Sequence, residues 1–321
     1  MLSATNTSTY YSLSLKCSLE ELCPGEHLYP VFKVSGEFCQ SFSNQTQTVI
    51  KGMETSSWTG KDSFDHEVAV FKLAPHPNII RCLQFSENVK FDFGPYAGRS
   101  YNLLVFPFLP ADLFDCVVKT SFDESIARYY LEQLLDALEH LHKNGLAHRD
   151  IKLENILLDE NCNLILTDFG HTAAISDGTG PTLFKKGTTP GICPPEYFKN
   201  GEYKGTQMDM FAVGKLIFSL VTGTQPFKLA NDKDDPFFKI MAKNDWKSYW
   251  SRAQTWAKKR NLAFSDFTSE FKDLVQGLLH VDPESRFTIE QVRKSAWLVN
   301  TKPCDLETIQ RKLQLAGVFR M

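Results

Sequence analysis

His148-Arg149-Asp150-Ile151-Lys152-Leu153-Glu154-Asn155-Ile156-Leu157-Leu158, continued by Leu164-Ile165-Leu166-Thr167-Asp168-Phe169-Gly170, decides how this chain is read. Ile156 to Leu158 reads as one short strand and Leu164 to Leu166 as its return, with the turn formers Asp159 to Asn163 between them. A hairpin of this length brings Asn155 and Asp168 to one open end. Asn and Asp side by side offer hard oxygen donors, the ligand type that Mg²⁺ prefers. Asp150, five residues before Asn155, can face the same cavity. The stretch therefore carries a candidate base beside a candidate metal site.

These residues resemble the catalytic loop and the magnesium loop of eukaryotic protein kinases, H-R-D-L-x-x-x-N followed by D-F-G, with Ile151 in place of Leu. A lone D-F-G is weak. The loop string with D-F-G eighteen residues after Asp150 is specific, and it outweighs a solvated hairpin with ordinary turn acids. The resemblance implies an α+β, bilobal protein-kinase-like fold. It expects a small antiparallel-sheet N-lobe with one helix and a large, mainly helical C-lobe. The expected division is a polar N-terminal extension (1–26), an ATP-binding N-lobe (27–109), a C-lobe (110–298) and a C-terminal tail (299–321).

Composition bounds the rest. The 321 residues are 42% hydrophobic, enough for a sizeable core and about two domains. A net charge of −3 makes no electrostatic case for nucleic acid or an anionic membrane. Eight cysteines are scattered with no C-x-x-C, so reduced thiols are expected in an intracellular protein, cytoplasmic or nuclear. The first 20 residues lack a basic start and an apolar run, so no signal peptide is expected. The longest apolar run, Leu103 to Leu109, is far too short to span a bilayer.

Residues 28–34 look like a strand. Val34-Ser35-Gly36-Glu37-Phe38-Cys39-Gln40-Ser41 follows where a kinase carries G-x-G-x-x-G-x-V, and only Gly36 matches. Missing glycines hold backbone N–H groups further from phosphate. Thr48-Val49-Ile50-Lys51 resembles the V-A-I-K strand, where Val49 and Lys51 share a face. Ser63 reads as the cap of a helix over 64–73. Phe64, Glu67, Val68 and Phe71 fall at i, i+3, i+4 and i+7, so Glu67 lies on the apolar side and needs a cation. Lys51 fits, as in the family's Lys–Glu pair.

Pro75 to Ile80 resembles the family's H-P-N-I turn, and residues 87–100 read as a long loop. Phe106 aligns as gatekeeper. Pro107 keeps the carbonyl that adenine would use, and Leu109 would supply the N–H. Asp112 is a candidate ribose contact or a helix N-terminal acid. Ser121 to Glu124 reads as a capping box, followed by the apolar stripe Ile126, Tyr130, Leu134, Leu138 and Leu141. Pro194-Pro195-Glu196 resembles the end of an activation segment, with Glu196 expected to bury against Arg286. Thr179, Thr182 and Thr188 are candidate phosphosites, and Arg149 is the residue that would meet such a phosphate. In the tail, Leu306, Ile309 and Leu313 should point inward.

The resemblance implies transfer of the ATP γ-phosphoryl group to Ser or Thr of protein substrates, most like the calmodulin-dependent-kinase-like group. Asp150 would accept the hydroxyl proton and Lys152 would steady the γ-phosphate. Lys51, held by Glu67, would orient the other phosphates, and Asn155 and Asp168 would hold Mg²⁺. Val34, Gly36, Val49, Pro107, Leu109, Asp112 and Leu157 would line the nucleotide. Thr189, Glu196 and Arg286 would build a substrate shelf. Phe71, His148 and Phe169, with Asp209 below, would form the apolar column of the family. The alternative is a pseudokinase scaffold, suggested by the degraded glycine loop.

Overall fold

The computed structural model describes residues 17–22, 29–36, 47–91, 96–120, 122–176, 183–184, 189–231, 233, 235–259, 267–302 and 304–318. The described residues fall into two compact units, one within 1–75 and 80–108, the other within 76–79 and 109–321.

Among the described residues, the first unit is a five-stranded antiparallel sheet with one helix. Its elements are β1 (Cys17–Glu21), β2 (Val31–Gly36), β3 (Gln47–Glu54), α1 (Trp58–Phe71), β4 (Gln84–Lys90) and β5 (Ser100–Pro107), with sheet order β1-β2-β3-β5-β4. Cys17–Glu21 lies inside the stretch expected to be a polar extension. Among the described residues it is an edge strand, paired with β2, and so needs no apolar run of its own. Alternation along β3 divides the sheet into two faces. Phe32, Val34, Ile50, Leu103 and Val105 share one core cluster with Phe91, Tyr96 and Tyr101. The expected long loop over 87–100 is therefore shorter. β4 runs to Lys90 with a bulge between Ser86 and Val89, and Phe91 and Tyr96 pack edge-on against Phe32. Each such ring pair adds about 0.5–1.5 kcal/mol beyond area burial.

Helix α1 begins at Trp58, well before its expected start at residue 64. Ser57, not Ser63, is the N-cap, accepting from the Gly60 amide at 3.3 Å. Gly60 is unfavourable by helix propensity but needed here, because a Cβ would sit 2.5 Å from the Glu54 carbonyl oxygen.

The second unit holds three short two- and three-stranded sheets among helices. In chain order these are β6 (Ala111–Asp112), α2 (Leu113–Lys119), α3 (Glu124–Lys143), β7 (Leu146–Ala147), β8 (Ile156–Leu158), β9 (Leu164–Leu166), β10 (Ala173–Ala174), β11 (Leu183–Phe184), α4 (Pro195–Asn200), β12 (Tyr203–Lys204) and α5 (Gly205–Thr222). Then come α6 (Pro236–Ala242), α7 (Trp246–Lys259), α8 (Ser269–Leu278), α9 (Ile289–Arg293), α10 (Ala296–Val299) and α11 (Leu306–Leu315). The α3 stripe of Ile126, Tyr130, Leu134, Leu138 and Leu141 is buried as its spacing requires. Its cap is Asp123, which accepts from the Ser125 and Ile126 amides, while Ser121 lies outside the described residues. Helix α5 is buried nearly all round. In α11, Ile309 and Leu313 are buried as expected, but Leu306, the first residue of the helix, is exposed.

Candidate active site

The expected hairpin forms, with Ile156 opposite Leu166, Leu157 opposite Ile165 and Leu158 opposite Leu164. One more rung closes its open end: Thr167 donates its amide (2.9 Å) and hydroxyl (3.1 Å) to the Asn155 carbonyl. Asn155 and Asp168 are thereby held at neighbouring positions. Leu157 and Ile165 take the less buried face, since alternation turns Ile156, Leu158, Leu164 and Leu166 inward.

Two residues here take left-handed backbone, Arg149 at φ 68° and Asp168 at φ 61°. Such conformations cost a non-glycine residue about 1–3 kcal/mol and persist only where surroundings impose them. For Arg149 the constraint is visible. The fully buried Asp209 carboxylate accepts the amides of His148 (3.0 Å) and Arg149 (2.7 Å), and it also meets His142 Nε2 at 2.8 Å. His142 is thus structural. His148 packs edge-on against Phe169, ring centroids 5.0 Å apart, and its Nε2 lies 2.9 Å from the Thr167 carbonyl.

Asp150 is the centre of the cluster. Its side chain is buried, and Lys152 Nζ donates to it at 2.7 Å, Asn155 Nδ2 at 2.8 Å and the Thr189 hydroxyl at 2.8 Å. Lys152 also reaches the Thr189 hydroxyl, at 3.2 Å. Burial alone pushes the Asp150 carboxyl up. The Lys152 ammonium and the Thr189 hydroxyl outweigh it and hold the carboxyl below its ordinary value, against the nearby charge of Asp168.

The donor set fits a divalent cation. Asn155 Nδ2 donates to both the Asp150 carbonyl (2.9 Å) and its carboxylate, which fixes the amide orientation and leaves Oδ1 as the oxygen that would ligate a cation. With the Asp168 carboxylate next to Thr167, the residues present are oxygen donors of the kind Mg²⁺ takes.

In the first unit, Lys51 Nζ lies 2.6 Å from Glu67 Oε1, and the Glu67 side chain is 1% exposed. Val49 lies on the Lys51 face, as its spacing requires. Val34 does not. It faces Thr48, not Val49, in the ladder, and it packs with Phe32 and Ile50 in the core on the opposite side. Val31, Lys33 and Ser35 are the β2 residues on the Lys51 face, a register that only strand pairing reveals. Phe106 stacks edge-on with Phe71 at 5.6 Å. Pro107 ends β5, Gly36 ends β2, and Leu109 is half-buried. Residues 37–46, the body of the expected glycine loop, lie outside the described residues. Asp112 caps α2, accepting the Asp115 amide at 2.7 Å, the helix-acid alternative for that residue.

The expected shelf pair forms in full. Arg286 makes two bonds to Glu196, at 2.9 and 2.8 Å, and a third to the Gln207 carbonyl at 2.8 Å. Thr179, Thr182 and Thr188 lie outside the described residues. Arg149 donates to the Tyr203 hydroxyl at 3.2 and 2.9 Å and lies 4.0 Å over the Phe184 ring. Sequence reasoning missed Tyr203 and Phe184, which have no fixed spacing to Arg149, and it missed the buried Lys215.

Comparison with known proteins gives one family. The protein kinase domain model matches residues 35–298. The chain is 30% identical over 248 residues to CBL-interacting protein kinase 26 of Oryza sativa subsp. japonica, covering 77% of this chain and 44% of that protein. It is 31% identical over 238 residues to CBL-interacting serine/threonine-protein kinase 24 of Arabidopsis thaliana (74% of this chain, 47% of that protein). Against serine/threonine-protein kinase CHK1 of Saccharomyces cerevisiae it is 29% identical over 245 residues (74% and 42%). The chain thus spans less than half the length of these curated relatives.

Proposed function

The chain belongs to the protein kinase family, and from that premise we propose that it transfers the ATP γ-phosphoryl group to Ser or Thr hydroxyls of protein substrates. The observation that carries this reading is the Asp150 cluster. A carboxylate kept ionised by Lys152 and Thr189 is ready to accept a hydrogen bond from an incoming hydroxyl and take its proton. Thr189 beside Asp150 and Lys152 is the serine/threonine arrangement that the sequence resembles.

Phosphoryl transfer needs positioning and charge neutralisation more than covalent chemistry. Lys51, steadied by Glu67, orients the α- and β-phosphate oxygens. Asn155 and Asp168 would hold Mg²⁺, which would supply charge neutralisation for the phosphate oxygens. Lys152 steadies the transferred group. Asp209 holds the loop backbone so that Asp150 keeps its aim.

The test is incubation of the purified full chain with labelled ATP, Mg²⁺ and a generic protein substrate, beside Asp150→Asn. Label on Ser or Thr with the wild type and almost none with the variant is the expected result. Equal labelling by both rejects the mechanism. Nucleotide binding without labelling supports a scaffold instead.

A further inference from the structure

Helix α5 is apolar on nearly every side, yet its middle carries a lysine. Lys215 is 5% exposed, between Gly214 and Leu216 in the buried body of the helix. Its ammonium is taken up by backbone carbonyls. It donates to the Gly191 carbonyl at short range, to the Phe227 carbonyl at 3.0 Å and to the Lys228 carbonyl at 3.3 Å, and it lies 4.4 Å over the Phe227 ring. Burying an ammonium is costly unless every proton finds an acceptor. An aliphatic residue, as at Val213, Leu216 and Ile217, would fill this part of the helix without that cost.

The three carbonyls come from two separate pieces of chain. Gly191 lies two residues beyond Thr189, in the short turn of Pro190–Ile192, where the Ile192 amide donates back to the Thr189 carbonyl at 3.0 Å. Phe227 and Lys228 belong to the connection after α5. That connection is aimed by Asp235, whose carboxylate accepts the Lys228 amide at 2.7 Å and caps α6. One amine therefore ties the core helix, the Thr189 turn and the 227–228 connection together. Thr189 in turn reaches Asp150.

We propose that Lys215 is a positioning residue for protein-substrate engagement, setting the Thr189–Ile192 turn against the core through the Gly191 carbonyl. The inference rests on the kinase reading above and deepens it on the substrate side. An ammonium has three protons for three carbonyls, whereas a neutral amine has two. Loss of the proton leaves two donors for three carbonyls, so the amine's hold on the turn that carries Gly191 weakens with its hold on the 227–228 connection. Burial brings the Lys215 ammonium down to about 7, against the pull of Asp235 and Cys193, so the change falls near neutrality. The groups that face this amine are Cys193 from the turn and Asp235 from the head of α6. Tyr249 of α7 feels the same Asp235 charge, and its hydroxyl bonds the Pro226 carbonyl.

The experiment uses the full chain with Lys215→Met and Lys215→Gln, the latter a neutral side chain that keeps two donors. Peptide KM, ATP KM and kcat are measured from pH 6 to 9. The wild-type peptide KM should rise several-fold as pH passes upward through about 7. Lys215→Gln should show a raised, pH-independent peptide KM. Lys215→Met should be raised further, with ATP KM within about twofold of wild type throughout. A wild-type peptide KM that is flat with pH, or peptide and ATP KM rising together, overturns the proposal. Hydrogen exchange keeps the test independent of activity. If the wild type transfers no phosphate, the kinase reading fails, and the proposal is then judged by the Ile192 and Cys193 amides. Exchange there at least tenfold faster in Lys215→Met, with α8 amides unchanged, supports it. Unchanged exchange overturns it.

Discussion

Arg286 and Glu196 meet as a two-pronged ion pair, 2.9 and 2.8 Å, with the guanidinium side chain fully out of solvent. The pair joins the end of the Thr189 segment to the loop before α9, across 90 residues of chain. Removing one partner of such a pair leaves a buried charge uncompensated, at about 3–5 kcal/mol. Arg286→Met and Glu196→Leu should each lose roughly that much in denaturant unfolding. The double variant should lose less than the sum of the two, though not nothing, because Arg286 also serves the Gln207 and His280 carbonyls. Additive losses would show that the two side chains do not stabilise one another.

Asp150 has a depressed folded-state value, so the sign of its pH effect is fixed. Its contribution to stability is present above the unfolded carboxylate range and lost as pH falls through the depressed folded value. Wild type should therefore lose its stability advantage over Asp150→Asn only in acid, below about pH 4. Thr189→Val removes one of the groups that lower the value, so the acid limb of kcat should move to higher pH. A limb that stays in place in Thr189→Val would mean that Thr189 does not tune Asp150.

In the proposed mechanism Lys51 would act on phosphate only while Glu67 aims it, and the buried Glu67 carboxylate has Lys51 as its cation. Lys51→Met should lower kcat by about 10²–10³-fold, the usual effect of removing one fixed electrostatic partner of the transition state. Glu67→Gln should raise ATP KM with a smaller loss in kcat. Steady-state kinetics with varied ATP separates the two.

The Arg149 guanidinium already has the Tyr203 hydroxyl and the Phe184 ring as partners. Phosphatase-treated protein is therefore expected to keep its activity, checked by mass spectrometry of the 177–188 segment beside the kinase assay. Tyr203→Phe takes away a hydrogen bond to a buried charge, worth about 1.5–3 kcal/mol, and should lower the unfolding midpoint accordingly. Activity that vanishes on phosphatase treatment would show that Arg149 waits for a phosphate.

Gly214 sits where α5 and α8 cross. A Cβ there would lie 2.8 Å from the side chains of Leu278 and Leu279. Gly214→Ala should cost about 1–3 kcal/mol by overpacking, despite its better helix propensity, as read from thermal unfolding.

The chemistry was legible in the sequence because it depends on short spacings. Asp150, Lys152 and Asn155 lie within six residues, and a three-residue strand pair must return Asp168 to Asn155. Glu67 was legible for a similar reason, since helical periodicity places it on an apolar face where only a cation can join it. What spacing did not carry was strand register and long-range packing. Val34 turned from the nucleotide side into the core because ladder pairing, not its place in a motif, sets its face. Ser57 displaced Ser63 as cap because Gly60 can approach the Glu54 carbonyl, a contact no local rule contains.

Local order along the chain determined which groups are present and which of them can be neighbours, because backbone geometry over a few residues has few solutions. Tertiary structure alone decided which cation meets which carbonyl or ring. Lys215 under Gly191 and Arg149 on Tyr203 arise from segments 24 and 54 residues apart, brought together only when the core closes around them.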